Sequence, residues 1–417
     1  MTIIRRMRGR EVNEFIRIAA EAYPGMKLFT AEERERARKR YLSRLEDRRI
    51  SLWGAYRGTQ MVGGMRYHDF NMNLFGKKIL AGGVGMVAVD LRFKKERICK
   101  EMIQAYLEHY RDKNAPLAVL WPFRPDFYRK MGFGYGAKIS QYRVKPEAIP
   151  KGQSKKHIRF FGKDDITALV DFYSRYCTTR NGMIEETRTG FRHIIEMSSN
   201  LWLAGYEKNG RISGFMNFGF APAHEKSFVM NDIVVREMLY ESREALSEMM
   251  TFLNSQSDQI AHVIINVVDD DFHNVFLDPR NGTNNMIPSV YHESNACGVG
   301  IMYRVLDTTG IWKVLEYHDF NGQSFRGKFN IIDTFLVENN KSLILEMDNG
   351  HAVLKKTGRC DFEVTIDISD FSSMLMGAIG FEKLWELGRA EISDNRYIAA
   401  VNKAFRCEKK PLCLAAF

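Results

Sequence analysis

Two short runs hold the side chains best suited to chemistry. The first reads Val87-Ala88-Val89-Asp90-Leu91-Arg92-Phe93-Lys94-Lys95-Glu96-Arg97-Ile98-Cys99-Lys100. An apolar strand there runs into a basic turn that opens a helix. A helix start offers unpaired N–H groups and a partial positive charge, so this turn suits a phosphate, and the cations Arg92, Lys94, Lys95 and Arg97 reinforce it. Cys99 reads as a small buried residue rather than a nucleophile. The second run, Leu120-Trp121-Pro122-Phe123-Arg124-Pro125-Asp126-Phe127-Tyr128-Arg129-Lys130-Met131-Gly132-Phe133-Gly134-Tyr135, joins a strand end to a short helix and a glycine turn.

The elements that must position these runs occur twice. Val12, Phe15, Ile16 and Ala19 recur at helical spacing until Pro24-Gly25, and a second helix follows Thr30, with Glu33 completing a capping box. Strands are expected over 52–56, 61–65 and, past the hairpin at Phe75-Gly76-Lys77, 84–89. A helix over 95–110 and a buried strand over 117–121 complete the set. From about Asp164 the order returns: helices near 166–176 and 191–197, then a Leu201-Trp202 strand that turns at Asn209-Gly210 into 212–218. A strand over 228–235, a helix over 241–254 and a strand over 262–268 follow. The matching Leu52-Trp53 and Leu201-Trp202 starts support a repeat. At the place of the basic turn the second copy has Arg236-Glu237-Met238-Leu239-Tyr240-Glu241, whose carboxylates would repel a phosphate.

From about Gly300 the pattern changes. Strands are expected over 331–337, 343–347 and 352–355, with an alternating strand over 361–367. Helices follow near 371–379 and 381–387, and a last one runs to Phe405 behind Asp394 as N-cap. The chain then closes on the apolar run Pro411-Leu412-Cys413-Leu414-Ala415-Ala416-Phe417. The expected fold class is α+β with α/β layering: two copies of one domain over 1–150 and 151–295, then a smaller α+β domain over 296–417.

Composition bounds the function. The 417 residues are 45% hydrophobic and 27% charged, enough to fill several cores. With 61 basic against 51 acidic residues the net charge is +10, which favours anionic partners. Nucleic acid is disfavoured because the basic residues are dispersed and no stacking motif appears. No apolar stretch of about 18 residues lacks a charge, so no membrane span is expected, and the polar N-terminus is no signal peptide. Six cysteines, none in a Cys-x-x-Cys pair, fit neither a disulfide framework nor a zinc site. A reducing cytoplasm is the expected compartment.

The basic strand-to-helix turn followed by Phe127-Tyr128-Arg129-Lys130-Met131-Gly132-Phe133 resembles the GNAT acetyltransferases. The doubled domain, the third domain and the terminal Phe417 together resemble the Eis (enhanced intracellular survival) family, over essentially the whole chain. The resemblance implies two tandem GNAT-like domains and a sterol-carrier-protein-like C-terminal domain. It implies acetyl-CoA as co-substrate, no metal, and a site in the first domain alone. Val87, Ala88 and Val89 would line the pantetheine arm; Lys94, Lys95, Glu96, Arg97, Ile98, Cys99 and Lys100 would cup the pyrophosphate; Phe123 and Arg124 would add contacts. A backbone N–H near Val87 or Val89 would serve the oxyanion, Tyr128 would be the general acid, and the α-carboxylate of Phe417 the general base. The implied acceptor is a primary amine of a small cationic molecule (an aminoglycoside, a polyamine or a lysine-like amine). The family also suggests a homo-oligomer, a hexamer.

Two departures stand out against that pattern. The family's turn, Arg/Gln-x-x-Gly-x-Gly/Ala, is here Lys94-x-x-Arg97-x-Cys99, with neither glycine. Ala416 supplies no carboxylate for an acidic acceptor pocket. Glu21, Glu32 and Glu33 read as solvated, and Asp269-Asp270-Asp271 as a polar turn. The alternative function is a low-activity or non-catalytic protein that binds CoA or an apolar ligand, the latter through Met374-Leu375-Met376 and Phe381, Leu384 and Trp385.

Overall fold

The computed structural model describes residues 2–26, 28, 30–197, 200–415 and 417. Contacts divide the chain into two compact units: Met1–Gly136 with Gly300–Pro411 and Ala415–Phe417, and Ala137–Val299 with Leu412–Leu414. In chain order the first part of the first unit comprises β1 (Ile3–Arg6), α1 (Val12–Ala22), α2 (Ala31–Arg44), β2 (Ile50–Arg57), β3 (Gln60–Leu74), β4 (Lys77–Val89), α3 (Ile98–Asp112), β5 (Leu117–Leu120), α4 (Pro125–Arg129) and β6 (Gly134–Tyr135). The second unit holds β7 (Lys138–Val144), β8 (Ile158–Phe160), α5 (Ile166–Cys177), α6 (Arg188–Met197), β9 (Trp202–Lys208), β10 (Arg211–Ile212), β11 (Gly214–Pro222), β12 (Asn231–Tyr240), α7 (Arg243–Asn254), β13 (Ile260–Val267) and β14 (Asn295–Val299). The chain then returns to the first unit with β15 (Met302–Val305), α8 (Ile311–Val314), β16 (Phe325–Ile332), β17 (Lys341–Asp348), β18 (His351–Lys355), β19 (Phe362–Asp367), α9 (Ile368–Leu375), α10 (Phe381–Glu386), β20 (Ala390–Ile392) and α11 (Ile398–Ala404).

The repeat is real in topology. One sheet runs β1-β2-β3-β4-β5-β15-β6 and another runs β10-β9-β11-β12-β13-β7-β14, with β8 on β9. In each, two antiparallel pairings lead to a helix and a parallel crossover: β4 onto β5, and β12 onto β13. Both copies also bulge at the same step, at Gly64/Arg66 in β3 and at Asn217/Phe218 in β11. The third sheet, β18-β17-β16-β19-β20, carries the C-terminal α+β segment.

Local chemistry explains the elements near the site. α1 buries Val12, Phe15, Ile16 and Ala19 as one stripe. α2 begins where Thr30 Oγ1 accepts from Glu33 N and Glu33 accepts from Thr30 N at 2.8 Å, and it buries only Ala37 and Tyr41. α3 lays Met102, Ile103, Tyr106, Leu107 and Tyr110 into the core at helical spacing.

Several expectations shift. The first break falls after Gly136 rather than at 150, because β7 pairs with β13 and β14; the second falls after Val299, because β15 inserts between β5 and β6. The strand expected over 228–235 runs from Asn231 to Tyr240, so Glu237 lies in a strand and not in a turn. α7 begins at Arg243, directly behind its N-cap Ser242. The strand expected over 331–337 is β16, which stops at Ile332. The cause is Asp333: its carboxylate accepts from Phe335 N (3.0 Å) and Leu336 N (2.9 Å) and folds a turn.

Asp333 also pairs with Arg304 of β15 at 2.6 Å, with both side chains fully buried. Asp333→Ala would leave a buried guanidinium alone, at a cost of about 3–5 kcal/mol. Thermal unfolding should show a large fall in Tm, and the double change Arg304→Met with Asp333→Leu should restore much of it.

Candidate active site

The site starts from a ladder that stops. Ala81, Gly82, Gly83 and Val84 of β4 pair in parallel with Leu117, Ala118, Val119 and Leu120 of β5, and the pairing ends there while β4 continues to Val89. Just below, Tyr106 of α3 donates its hydroxyl to Gly82 O at 2.6 Å and accepts from Val119 N at 3.3 Å. On the β3 side Gly64 faces Ala88 and Arg66 faces Gly85, so Met86 and Val87 of β4 stand against one residue of β3. Met86 takes φ of 53° in this bulge, a left-handed conformation unfavourable by order 1 kcal/mol for a side chain of this size. The bulge takes Val87 out of the β3 ladder, and Val87 O accepts from the Tyr23 hydroxyl at 2.6 Å.

Beyond the bulge comes the basic turn. Asp90 anchors its start: fully buried, it accepts from Arg92 N (3.0 Å) and pairs with Arg17 and Arg92, each at 2.7 Å. Hydrogen bonding from Arg92 holds its carboxyl well below the usual carboxylate range. α3 begins at Ile98, three residues later than expected, because Arg97 is its N-cap and takes φ of 65°; Lys95 takes φ of 70°. Arg97 therefore adopts a left-handed backbone shape that glycine takes without strain. Lys94, Lys95 and Arg97 are exposed and form no ion pair among the described residues, whereas Glu96 pairs with Arg57. Lys100 lies 5.5 Å over the Phe335 ring. Burial pushes the Cys99 thiol up to about 12, so it is no nucleophile at neutral pH.

Tyr128 sits on α4, whose first residue is Pro125, with φ already set for a helix. The residue is 2% exposed, and Phe123, Phe127 and Phe133 meet it edge-on at 5.4–6.0 Å. Its hydroxyl accepts and donates no hydrogen bond among the described residues, and burial raises its pKa further above the ordinary phenol value. Val87, Val89, Cys99 and Tyr128 share one packed cluster. Phe123 is 56% exposed, and Arg124 pairs with Asp126 at 2.6 Å on the surface.

The end of the chain reaches the mouth of the gap. Trp121, next after β5, donates Nε1–H to Ala415 O at 2.8 Å. The Phe417 ring meets Phe70 at 4.7 Å and His68 at 5.6 Å, both edge-on. Gly85, next after the last β4–β5 pair, is the third contact: a Cβ built there would lie 3.0 Å from the Phe417 carbonyl carbon and 3.2 Å from its oxygen. Sequence reading missed Arg66, His68, Phe70, Gly85 and Trp121. The alternation of Arg66, His68 and Phe70 on one strand face was the available signal.

Comparison with known proteins agrees with this geometry. Residues 3–136 match the family described as acetyltransferase (GNAT) domain, and residues 313–414 match the sterol carrier protein domain. A GCN5-related N-acetyltransferase from Anabaena variabilis superposes with TM-score 0.82 at 14% identity, over 100% of both chains. Eis1 from Mycobacterium abscessus does so with TM-score 0.77 at 15% identity, again over 100% of both. The chain therefore has the fold of these two structures, with a GNAT-type acetyltransferase domain over residues 3–136. An uncharacterized N-acetyltransferase of Streptomyces coelicolor is 28% identical over 209 residues, 46% of this chain and 49% of that protein. A second, from Streptomyces avermitilis, is 25% identical over 207 residues, again 46% of this chain and 49% of that protein. The chain thus spans about half the length of the curated relatives it matches.

Other candidates fall elsewhere in this Eis-like fold. Glu21 pairs with Arg17 at 2.5 Å, Glu32 is exposed and Glu33 caps α2, while Ala416 lies outside the described residues. Asp269–Asp271 form a polar turn in which Asp271 N donates to Asp269 at 2.9 Å. Met374, Leu375, Met376, Phe381 and Leu384 are buried core residues, and Trp385 is partly exposed. Among the described residues no helix is long and apolar enough to cross a membrane.

Asp90 gives a pH test. Its folded pKa is depressed, so its contribution is complete above the unfolded value of about 3.9 and is lost as pH falls through the lower folded value. Stability followed by denaturant melts should decline as pH falls below about 4. Asp90→Asn should be less stable at pH 7 and show a shallower decline there.

Proposed function

We propose that the chain is an acetyl-CoA-dependent N-acetyltransferase acting on a primary amine, with its site in the β4–β5 gap of the first unit. The observation that carries this reading is that the gap opens above Val84 and Leu120, and that the next residues, Gly85 and Trp121, touch the last residues of the chain. Acetyl-CoA supplies an activated acetyl thioester. The free edge of β4 at Val87, Ala88 and Val89 suits the amides of a pantetheine arm, and the three unpaired cations beside the α3 start suit its pyrophosphate. Phe123 and Arg124, which follow Trp121 closely in the chain, can add contacts.

Each residue then has a chemical role. The Val87 N–H, freed from the β3 ladder by the bulge, is a donor for negative charge on a carbonyl oxygen. Tyr128 keeps its proton at neutral pH and can pass it to a leaving thiolate. The α-carboxylate of Phe417 takes the proton that the attacking amine must lose, and the Phe70 and His68 rings fix its phenyl. The resemblance to Eis points to small cationic amines as acceptors and to a homo-oligomer, so an acceptor panel includes aminoglycosides and polyamines beside other amines.

Two experiments decide this. Calorimetry with CoA should show at least tenfold weaker binding for Lys94→Glu with Lys95→Glu, since each charge-assisted phosphate contact contributes roughly 1 kcal/mol or more; unchanged affinity would remove the turn from the site. Thiol release from acetyl-CoA should fall roughly 100- to 10,000-fold in Tyr128→Phe. One glycine added after Phe417 moves the carboxylate by about 3.5 Å and should cost on the order of 100-fold or more. Gly85→Ala should act in the same direction by pressing on the Phe417 carbonyl. Full turnover in the extended chain, with its mass verified, would sink the carboxylate role.

A further inference from the structure

The strand face that receives Phe417 also carries a buried cation unused in the chemistry above. Arg66 is 5% exposed, and its Nε donates to His68 Nε2 at 2.8 Å. That bond leaves the charge uncompensated, and among the described residues no carboxylate, the Phe417 terminus included, forms an ion pair with Arg66. Buried charges are ordinarily paired. Arg66 Nη2 lies 3.5 Å from the Cβ position of its cross-strand partner Gly85, beside the Phe417 carbonyl group. An anion arriving at this point would meet a guanidinium already stripped of water.

The surroundings add charge of the same sign. Burial, then repulsion from Arg44 and Arg40 of α2, lowers Arg66 to about 10, which leaves it charged at neutral pH. Burial, with Arg66, Arg44 and Arg49 behind it, keeps His68 neutral, and Arg49 is itself taken up by Asp47 at 2.5 Å. Asp69, the acid on the same strand, is engaged by Tyr110 (2.8 Å) and Lys113 (2.5 Å). Arg40 is exposed and forms no ion pair among the described residues.

We infer that the acceptor amine carries an anionic group, a carboxylate or a phosphate, a few bonds from its nitrogen, and that Arg66 binds this group. The inference rests on the acetyl-transfer reading and narrows its acceptor. Gly85 precedes Val87 by two residues, with the bulge at Met86 between them, which keeps the anion close to the proposed acetyl position. Arg40, exposed at the surface, attracts the anionic group of such an acceptor from solution.

Matched acceptors test this: glucosamine against glucosamine 6-phosphate, serinamide against serine, and spermidine as a cation. Acetyl-CoA turnover should show KM at least tenfold lower for the anionic member of one pair; which pair responds identifies phosphate or carboxylate. Arg66→Gln should erase that preference with KM for the neutral member unchanged, and Arg66→Lys should keep part of it. Arg40→Gln, an exposed change that leaves the fold intact, should lower kcat/KM for the anionic acceptor two- to threefold, with a weaker salt dependence. Equal KM values within both pairs, or a preference for spermidine, would overturn the inference. So would an Arg66→Gln effect on kcat alike for all acceptors, which would tie the arginine to Phe417 instead. Calorimetry with glucosamine 6-phosphate and serine separates the two levels. Arg66-dependent binding without turnover upholds this inference and sinks acetyl transfer; no binding of either at millimolar concentration sinks the inference.

Discussion

Two parallel strands share a ladder only while both run side by side about 4.8 Å apart, and in the first unit that ladder ends at Val84 and Leu120, where β5 stops and β4 continues to Val89. The bulge at Met86-Val87 lies just beyond, where an extra residue on β4 bends the strand before Ala88 and Val89 rejoin β3. Tyr106 ties the two strands together immediately below the opening, so the gap has a fixed floor. The residues of the proposed site belong to this same unit: Tyr128 on α4, the cationic turn ahead of α3, and Phe417 against Gly85. A strained φ at Met86 is tolerated because the sheet on one side and Tyr23 on the Val87 carbonyl hold the bulge in place.

The basic turn shows how a local rule can be broken in sequence and kept in structure. Glycine favours a left-handed residue at a helix entry, yet Arg97 takes φ of 65° there. Asp90 makes this possible by gripping Arg17 and Arg92, which sets the direction of the chain before it reaches Arg97. The side chain that replaces hydrogen at this position is an exposed cation that forms no ion pair among the described residues.

The second unit sharpens the contrast between the copies. It keeps both the bulge and the parting of strands, since β12–β13 pairing ends at Val235–Ile265 while β12 runs on to Tyr240. Two features differ. Residues 241–242 alone separate β12 from α7, against residues 90–97 between β4 and α3, so no long basic turn exists. On β12, Glu237 accepts from Tyr173 at 2.7 Å, and burial pushes its carboxyl up to about 7. Expected as a carboxylate in a turn, it is instead a strand residue facing a phenol.

Hydrophobic period, capping boxes and turn residues act between near neighbours, and these the sequence by itself determined. The repeated order of elements, the helix start beside Lys94, Lys95 and Arg97, the short helix bearing Tyr128 and the apolar tail were all legible at that range. Only the tertiary structure decided what depends on partners far along the chain. β15 enters the first sheet and β7 the second because of edge pairings that no local pattern encodes. Asp333 ends β16 because a buried Arg304, 29 residues away, needs a counter-charge. The strand expected over 61–65 stops short of Arg66, His68 and Phe70, which lie on β3 where Phe417 packs, and a single strand's alternation names a face but says nothing of what will cover it.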